Sequence, residues 1–198
     1  MRPNDSESAE DMSKLRYMSD SSISIVCKKS RYPNNKEKAQ EILEWLVANN
    51  IVDLTMSDCT LGSENGYAVS TGAETIVEEP RFLPFRPIQI NGLSIITDRT
   101  IFHTGENGIE ELICPNCKSD ISQEDWDFFD PWAGGETDDL TCPSCGKSNE
   151  IHDYSFKPEW GFSNLGFTFW NWPPFKQDFI DDLKRRLGCD VNVVISHI

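Results

Sequence analysis

The chain has 198 residues, enough for one sizeable hydrophobic core, or one core and a small metal-held module. Its 38% hydrophobic and 11% aromatic content excludes a disordered chain, and no apolar run approaches the about 20 residues that cross a bilayer. With 33 acids against 18 bases the formal net charge is −15, which repels phosphate backbones and leaves a solvated surface or a basic partner as its uses.

Residues 1–20 mix Ser, Asp, Glu and Met without a period and read as a mobile tail, in which Met18 is a plausible second start. The stretch lacks the apolar core of a secretory signal, so the cytoplasm is the expected compartment. Ile23, Ile25 and Cys27 alternate with Ser24 and Val26 and predict a first strand. Asn34, with Glu37 three residues on, has the form of a helix cap. Ala39, Ile42, Leu43, Leu46 and Val47 then recur at helical spacing, predicting a helix over 37–49. Ile51, Val52 and Leu54 enter a second strand. Tyr67, Val69 and Ile76-Val77 suggest short strands in the aperiodic 57–79 segment, and Pro80, Pro84 and Pro87 punctuate an extended connection. Asn91-Gly92, between alternating apolar residues of 88–95, predicts a hairpin turn.

Beyond 153, Leu165, Phe167 and Phe169 alternate as a strand. The aromatic run over 160–172 is expected in the core, with Trp170 and Trp172 as exceptions. Pro173-Pro174 is expected to open a helix with the apolar stripe Phe175, Phe179, Ile180, Leu183 and Leu187. Asp178, Asp181 and Asp182 sit early in it and Lys184, Arg185 and Arg186 late, as the helix dipole favours, and Gly188 caps it. Val191, Val193 and Ile195 make a closing strand.

Cys114-Pro115-Asn116-Cys117 and Cys142-Pro143-Ser144-Cys145 are two CPxC pairs. Two intervening residues let both thiolates of a pair reach one ion, and two pairs complete a closed, all-sulfur site that suits structural zinc, with iron as the alternative. A closed site leaves no position for an activated water. His152 lies near enough in sequence for an outer contact, although a solvent-facing side chain is the simpler expectation. These pairs, with Gly146 after the last Cys, resemble the two knuckles of a zinc ribbon; the likeness covers about residues 111–153, and Lys118 departs from it where a Gly is common. The resemblance implies backbone amides facing the sulfurs. The 160–172 stretch is similar only to uncharacterised bacterial proteins, which implies no activity. The whole predicts an α+β fold: a ferredoxin-like, split βαβ sheet with two helices on one face, forming a single domain over 21–198 with an inserted zinc ribbon.

The 24 residues between the pairs carry eight acids against Lys118 alone. Trp126, Phe128, Phe129 and Trp132 are interleaved with Asp125, Asp127 and Asp130, and these seven are the candidate partner-binding residues. The competing expectation is that the aromatics pack inwards while the acids face water. The acids do not have EF-hand spacing. Cys27, Cys59 and Cys189 read as small buried hydrophobes rather than nucleophiles. The chain contains no Gly-rich phosphate loop, HExxH or GxSxG. The expected function is a zinc-stabilised module that engages a basic protein partner, as an adaptor or immunity-like protein, with no membrane partner. The alternatives are an enzyme of unknown type with a structural zinc, and a nucleic-acid-binding ribbon, which the charge disfavours.

Overall fold

The computed structural model describes residues 20–61, 65–83 and 88–198; the tail expected over 1–20 therefore lies outside the described residues up to position 19, and so do Pro84 and Pro87. A six-stranded sheet forms the centre of the fold. Its strands are β1 (Ser21–Cys27), β2 (Val52–Ser57), β3 (Gly66–Val69), β4 (Gly92–Ile96), β11 (Gly166–Trp170) and β12 (Val191–His197). They lie in the order β12-β1-β11-β4-β3-β2, and every neighbouring pair is antiparallel. The alternation in β1 decides its two faces: Ile23, Ile25 and Cys27 join the main core, while Val26 turns to the opposite side.

Helices α1 (Asn35–Ala48) and α3 (Gln177–Leu187) cover one face with Ala39, Ile42, Leu43 and Leu46, and with Phe179, Ile180, Leu183 and Leu187. Trp45 of α1 stacks on Phe179 of α3 at 5.8 Å, which ties the helices to each other. Helix α1 joins β1 to β2, which run in the same direction with three strands between them. Helix α3 joins β11 to β12 across β1 alone.

Three local expectations change. Asn34 precedes α1 but adopts φ 49° and makes no side-chain cap; the amide of Asn35 instead donates to Thr97 O and Asn164 O, which anchors the helix start to two distant loops. Pro173 and Pro174 do not open α3. Phe175 bridges Val77 in extended backbone, because its ring is claimed by Phe169 at 4.7 Å and Phe179 at 5.0 Å, and the helix begins two residues later. Asn91-Gly92 makes no hairpin: Gly92 is the first residue of β4, and Asn91 is buried with its amide reaching Trp170 O and Asn171 O.

Gly92 is there for proximity rather than for turning. A Cβ at this position would lie 2.3 Å from Cys59 Sγ and 2.9 Å from Tyr67 O. Gly92→Ala is expected to cost about 1–3 kcal/mol by overpacking, read as a lower urea midpoint with unchanged slope.

Trp172 is buried, contrary to its expected exception, and Trp170 is half-buried with its Nε1 donating to Ser94 Oγ at 3.0 Å. On the face of the sheet away from the helices lies the pair β5 (Thr100–Phe102) and β10 (Gly161–Ser163), where Phe102 packs on Val26 and Val194. Beyond it is a second core containing Leu112, Ile121, Leu140, Ile151, Phe156 and Phe162. This second core belongs to the segment that carries the four paired cysteines.

Candidate metal centre and acidic platform

Each CPxC pair sits in a short antiparallel turn. The second lies between β7 (Asp139–Thr141) and β8 (Ser148–Glu150), which pair with each other. The first follows β6 (Glu111–Ile113), where Ile113 bridges Asp120 across the turn; β6 itself pairs with β9 (Ser155–Lys157). The backbone of the two turns is equivalent. Cys114 N–H donates to Ser119 O and Lys118 N–H to Cys114 O; Cys142 N–H donates to Lys147 O and Gly146 N–H to Cys142 O. Lys118 at φ 62° and Gly146 at φ 69° occupy the same left-handed position, so the departure at Lys118 changes the residue and not the turn.

This geometry turns backbone amides toward sulfur. Those of Asn116 and Cys117 donate to Cys114 Sγ, and those of Ser144 and Cys145 to Cys142 Sγ. The four Sγ atoms lie within 4.8 Å of one another, with Cys114 to Cys145 at 4.0 Å and Cys117 to Cys142 at 3.8 Å. Four sulfurs held tetrahedrally about 2.3 Å from one ion stand about 3.8 Å apart, so the set fits a single bound metal ion. Cys114 and Cys142 are buried, whereas Cys117 and Cys145 are exposed. The Ser119 hydroxyl and amide bring the Cys117 thiol down to about 6, while burial pushes Cys142 up to about 11.

The segment between the turns forms a 3-10 turn over Trp126–Phe129 that runs into the one-turn helix α2 (Asp130–Ala133). Helical spacing places Phe129 and Trp132, three apart, on one inward side. They are 5% and 0% exposed, so these two candidate contact residues form the underside of the platform. Phe128 is half-buried. Trp126 stays 43% exposed, with its Nε1 donating to Ser122 O and its ring edge-on to Trp160 at 5.6 Å. Asp125, Asp127 and Asp130 are all exposed beside it.

Two other acids of the segment are used internally. Asp120 Oδ1 accepts from the amides of Leu112 and Ser122. Asp138 accepts from Arg99 at 2.8 Å and from Arg31 at 3.0 Å; burial alone would raise its carboxyl, but the two guanidiniums hold it below its ordinary value. Arg99 also lies 3.8 Å above the Trp132 ring and donates to Trp132 O and Thr137 O, and Trp132 Nε1 donates to Ser30 Oγ. Ser30, Arg31 and Arg99 therefore fasten the cysteine segment to the main sheet. No sequence pattern marks these three, since each meets its partners across 33 residues or more of chain.

His152 is neither a contact of the sulfurs nor free in solvent. It is half-buried, with Nε2 3.5 Å from Ser30 Oγ. Burial, assisted by Lys28, brings its pKa down to about 4. The unfolded chain binds this proton near pH 6.5 and the folded chain only near 4, so the stability due to neutral His152 is complete above 6.5 and is lost as pH falls toward 4. A ring-proton titration should show His152 still neutral at pH 5.5. His152→Gln should flatten the stability–pH slope between 6.5 and 4. His152 lines a cavity of about 10 Å³ with Tyr154, Glu159 and Asn192, a volume that suits about one water molecule rather than a substrate.

No protein-family model, curated protein or solved structure matches the chain. Among the described residues no helix is long and apolar enough to cross a membrane.

Proposed function

We propose that the protein is a zinc-stabilised binding module whose acidic platform engages a basic protein partner, in the manner of an adaptor or an immunity protein, in the cytoplasm. The observation that carries this reading is Trp126: a large, half-exposed ring, anchored on Trp160, with the exposed Asp125, Asp127 and Asp130 within four residues of it along the same short segment. An aromatic anchor within a rim of one charge is the composition of a protein-binding hot spot. The net charge of −15 favours a cationic partner and speeds its encounter. Phe129 and Trp132 serve the reading as rigid support, and Phe128 as the edge of the contact.

Zinc is the ion proposed for Cys114, Cys117, Cys142 and Cys145, because four thiolates with amide-donating turns suit a closed structural site. The two turns are read as the knuckles of a zinc ribbon. The β11-α3-β12 unit, with β1 between its strands, is read as one split βαβ half of a ferredoxin-like sheet that carries extra strands β3 and β4 in its other half.

The test is affinity capture from the source cell on wild-type, Trp126→Ala and Asp125→Asn/Asp127→Asn protein. A basic protein held by the wild type and lost by about tenfold or more on Trp126→Ala supports the reading. Equal capture by all three matrices would sink it.

A further inference from the structure

Strand β12 is one edge of the six-stranded sheet, and no described strand lies beyond it. Lys28 N–H donates to Asp190 O and Ile198 N–H to Asp20 O, so the even-numbered residues of this strand turn their backbone groups toward β1. Val191, Val193 and Ile195 therefore turn theirs outwards. At the far end the outward groups of His197 are taken by the 104–106 loop, through Thr104 O and Glu106 N–H. The open stretch is Val191-Asn192-Val193-Val194-Ile195, which carries no charge, no Pro and no Gly. Sheet edges usually carry such features where strand addition is to be avoided.

The side chains along this edge are complementary to themselves. Beside Val191 and Val193 runs an open groove of about 460 Å³, bordered by Lys28, Glu159, Lys184 and Asp190. A short distance along the same strand, Ile195 is 49% exposed, and Ile198 beyond it is 56% exposed. A two-fold axis through Val193 would set Val193 against Val193 and Val191 against Ile195, each pair exchanging two backbone hydrogen bonds. The exposed Ile195 of each copy would then enter the groove beside Val191 of the other. β-branched residues facing each other across an antiparallel pair are favourable cross-strand neighbours.

Local charge does not oppose this pairing. The chain as a whole repels its copies at −15, but the groove border carries two bases and two acids and is locally balanced. The pairing would set this balanced end of one copy, with Lys28, Glu159, Lys184 and Asp190, near the Glu106 end of the other, because Glu106 is held at the His197 end of β12. We infer that β12 pairs antiparallel with β12 of a second copy of this chain, joining two six-stranded sheets into one continuous sheet across a two-fold axis. The acidic platform lies on another element and plays no part in this contact.

Sedimentation of the unmodified protein over increasing concentration should show a species of twice the chain mass. Ile195→Lys, at a position already half exposed, should remain monomeric with unchanged thermal unfolding and metal content. Hydrogen exchange on the unmodified protein supplies a readout free of any variant. The outward amides of Val191, Val193 and Ile195 should exchange about tenfold or more slowly in the dimer than in the dilute monomer. A protein that is monomeric at every concentration overturns the inference. So does a dimer whose mass Ile195→Lys leaves unchanged, a dimer whose three amides exchange as fast as in the monomer, or a monomer whose β12 edge takes an extended peptide of another protein instead.

Discussion

Cys142→Ser is expected to unfold the cysteine-bearing segment while the helix-covered sheet stays folded. The strands of that segment, β6, β7, β8 and β9, have three residues each. Pairs of such length do not stand alone in water. Their residues are held by one buried cluster, and two of the four sulfurs, Cys114 and Cys142, lie inside it at 0% exposure. Binding of zinc to a site of this kind supplies a large share of the local folding free energy, about 10 kcal/mol or more in small zinc-dependent folds. Here the aromatic cluster supplies part of the stability, so the loss is smaller but still decisive. Amide exchange at Leu112, Ile121 and Leu140 should rise by about a thousandfold or more, which corresponds to roughly 4 kcal/mol. Ile25, Phe167 and Leu183, in the other core, should keep their protection. Chelation of the wild type should reproduce the pattern, and metal analysis should return about one zinc per chain before it. Unchanged protection after complete removal of metal would show that the cluster alone holds the segment, and the structural role of the ion would fall.

The cluster of four cysteines was legible because its code is local: two residues between thiols let both of a pair face one point, whatever surrounds them. Strand β1, helix α1, the stripe of α3 and strand β12 were legible for a similar reason, since each is seven residues or longer and leaves room for a local period to show. What failed were signals with two physical meanings. Glycine serves turns and also close approach, and at Gly92 the neighbour Cys59 decides for approach. Proline is tolerated in a first helical turn and in extended backbone alike, and the ring contacts of Phe175 choose the latter. The short strands around the cysteines carry three residues apiece, too few for a period to appear. The insertion of β3 and β4 beside β11 is a matter of long-range pairing, in which Tyr67 meets Leu93 and Phe169 meets Leu93, and no local pattern encodes it. In the platform the composition was visible but its sidedness was not. A 3-10 turn at 126–129 and a one-turn helix at 130–133 separate Phe129 and Trp132 from Trp126, and each is too short to announce itself.

This sidedness makes Trp132→Ala the second large effect. Its ring is fully buried, edge-on to Phe162 at 5.3 Å and capped by the Arg99 guanidinium at 3.8 Å, and its Nε1–H is bonded to Ser30. Truncation removes the transfer free energy of the indole and leaves a cavity, together worth about 3–5 kcal/mol. It also strands Arg99, which keeps Asp138 and Thr137 O but loses its aromatic face. Trp126→Ala removes a ring that is nearly half in water, and its cost should stay near 1 kcal/mol or below, chiefly the edge-on contact with Trp160. Urea unfolding of the two variants, followed by far-ultraviolet dichroism, separates the cases. The comparison matters for the binding proposal, because a platform can present Trp126 and its acids in one geometry only while Trp132 clamps it to the sheet. Arg99→Lys refines the test: it keeps the charge beside Asp138 but loses the planar fork that grips Trp132 O and Thr137 O. It should weaken partner binding more than a simple change of net charge does. If Trp132→Ala proves as mild as Trp126→Ala, the clamp does not hold the platform, and the acids around Trp126 lose the rigidity on which their recognition depends.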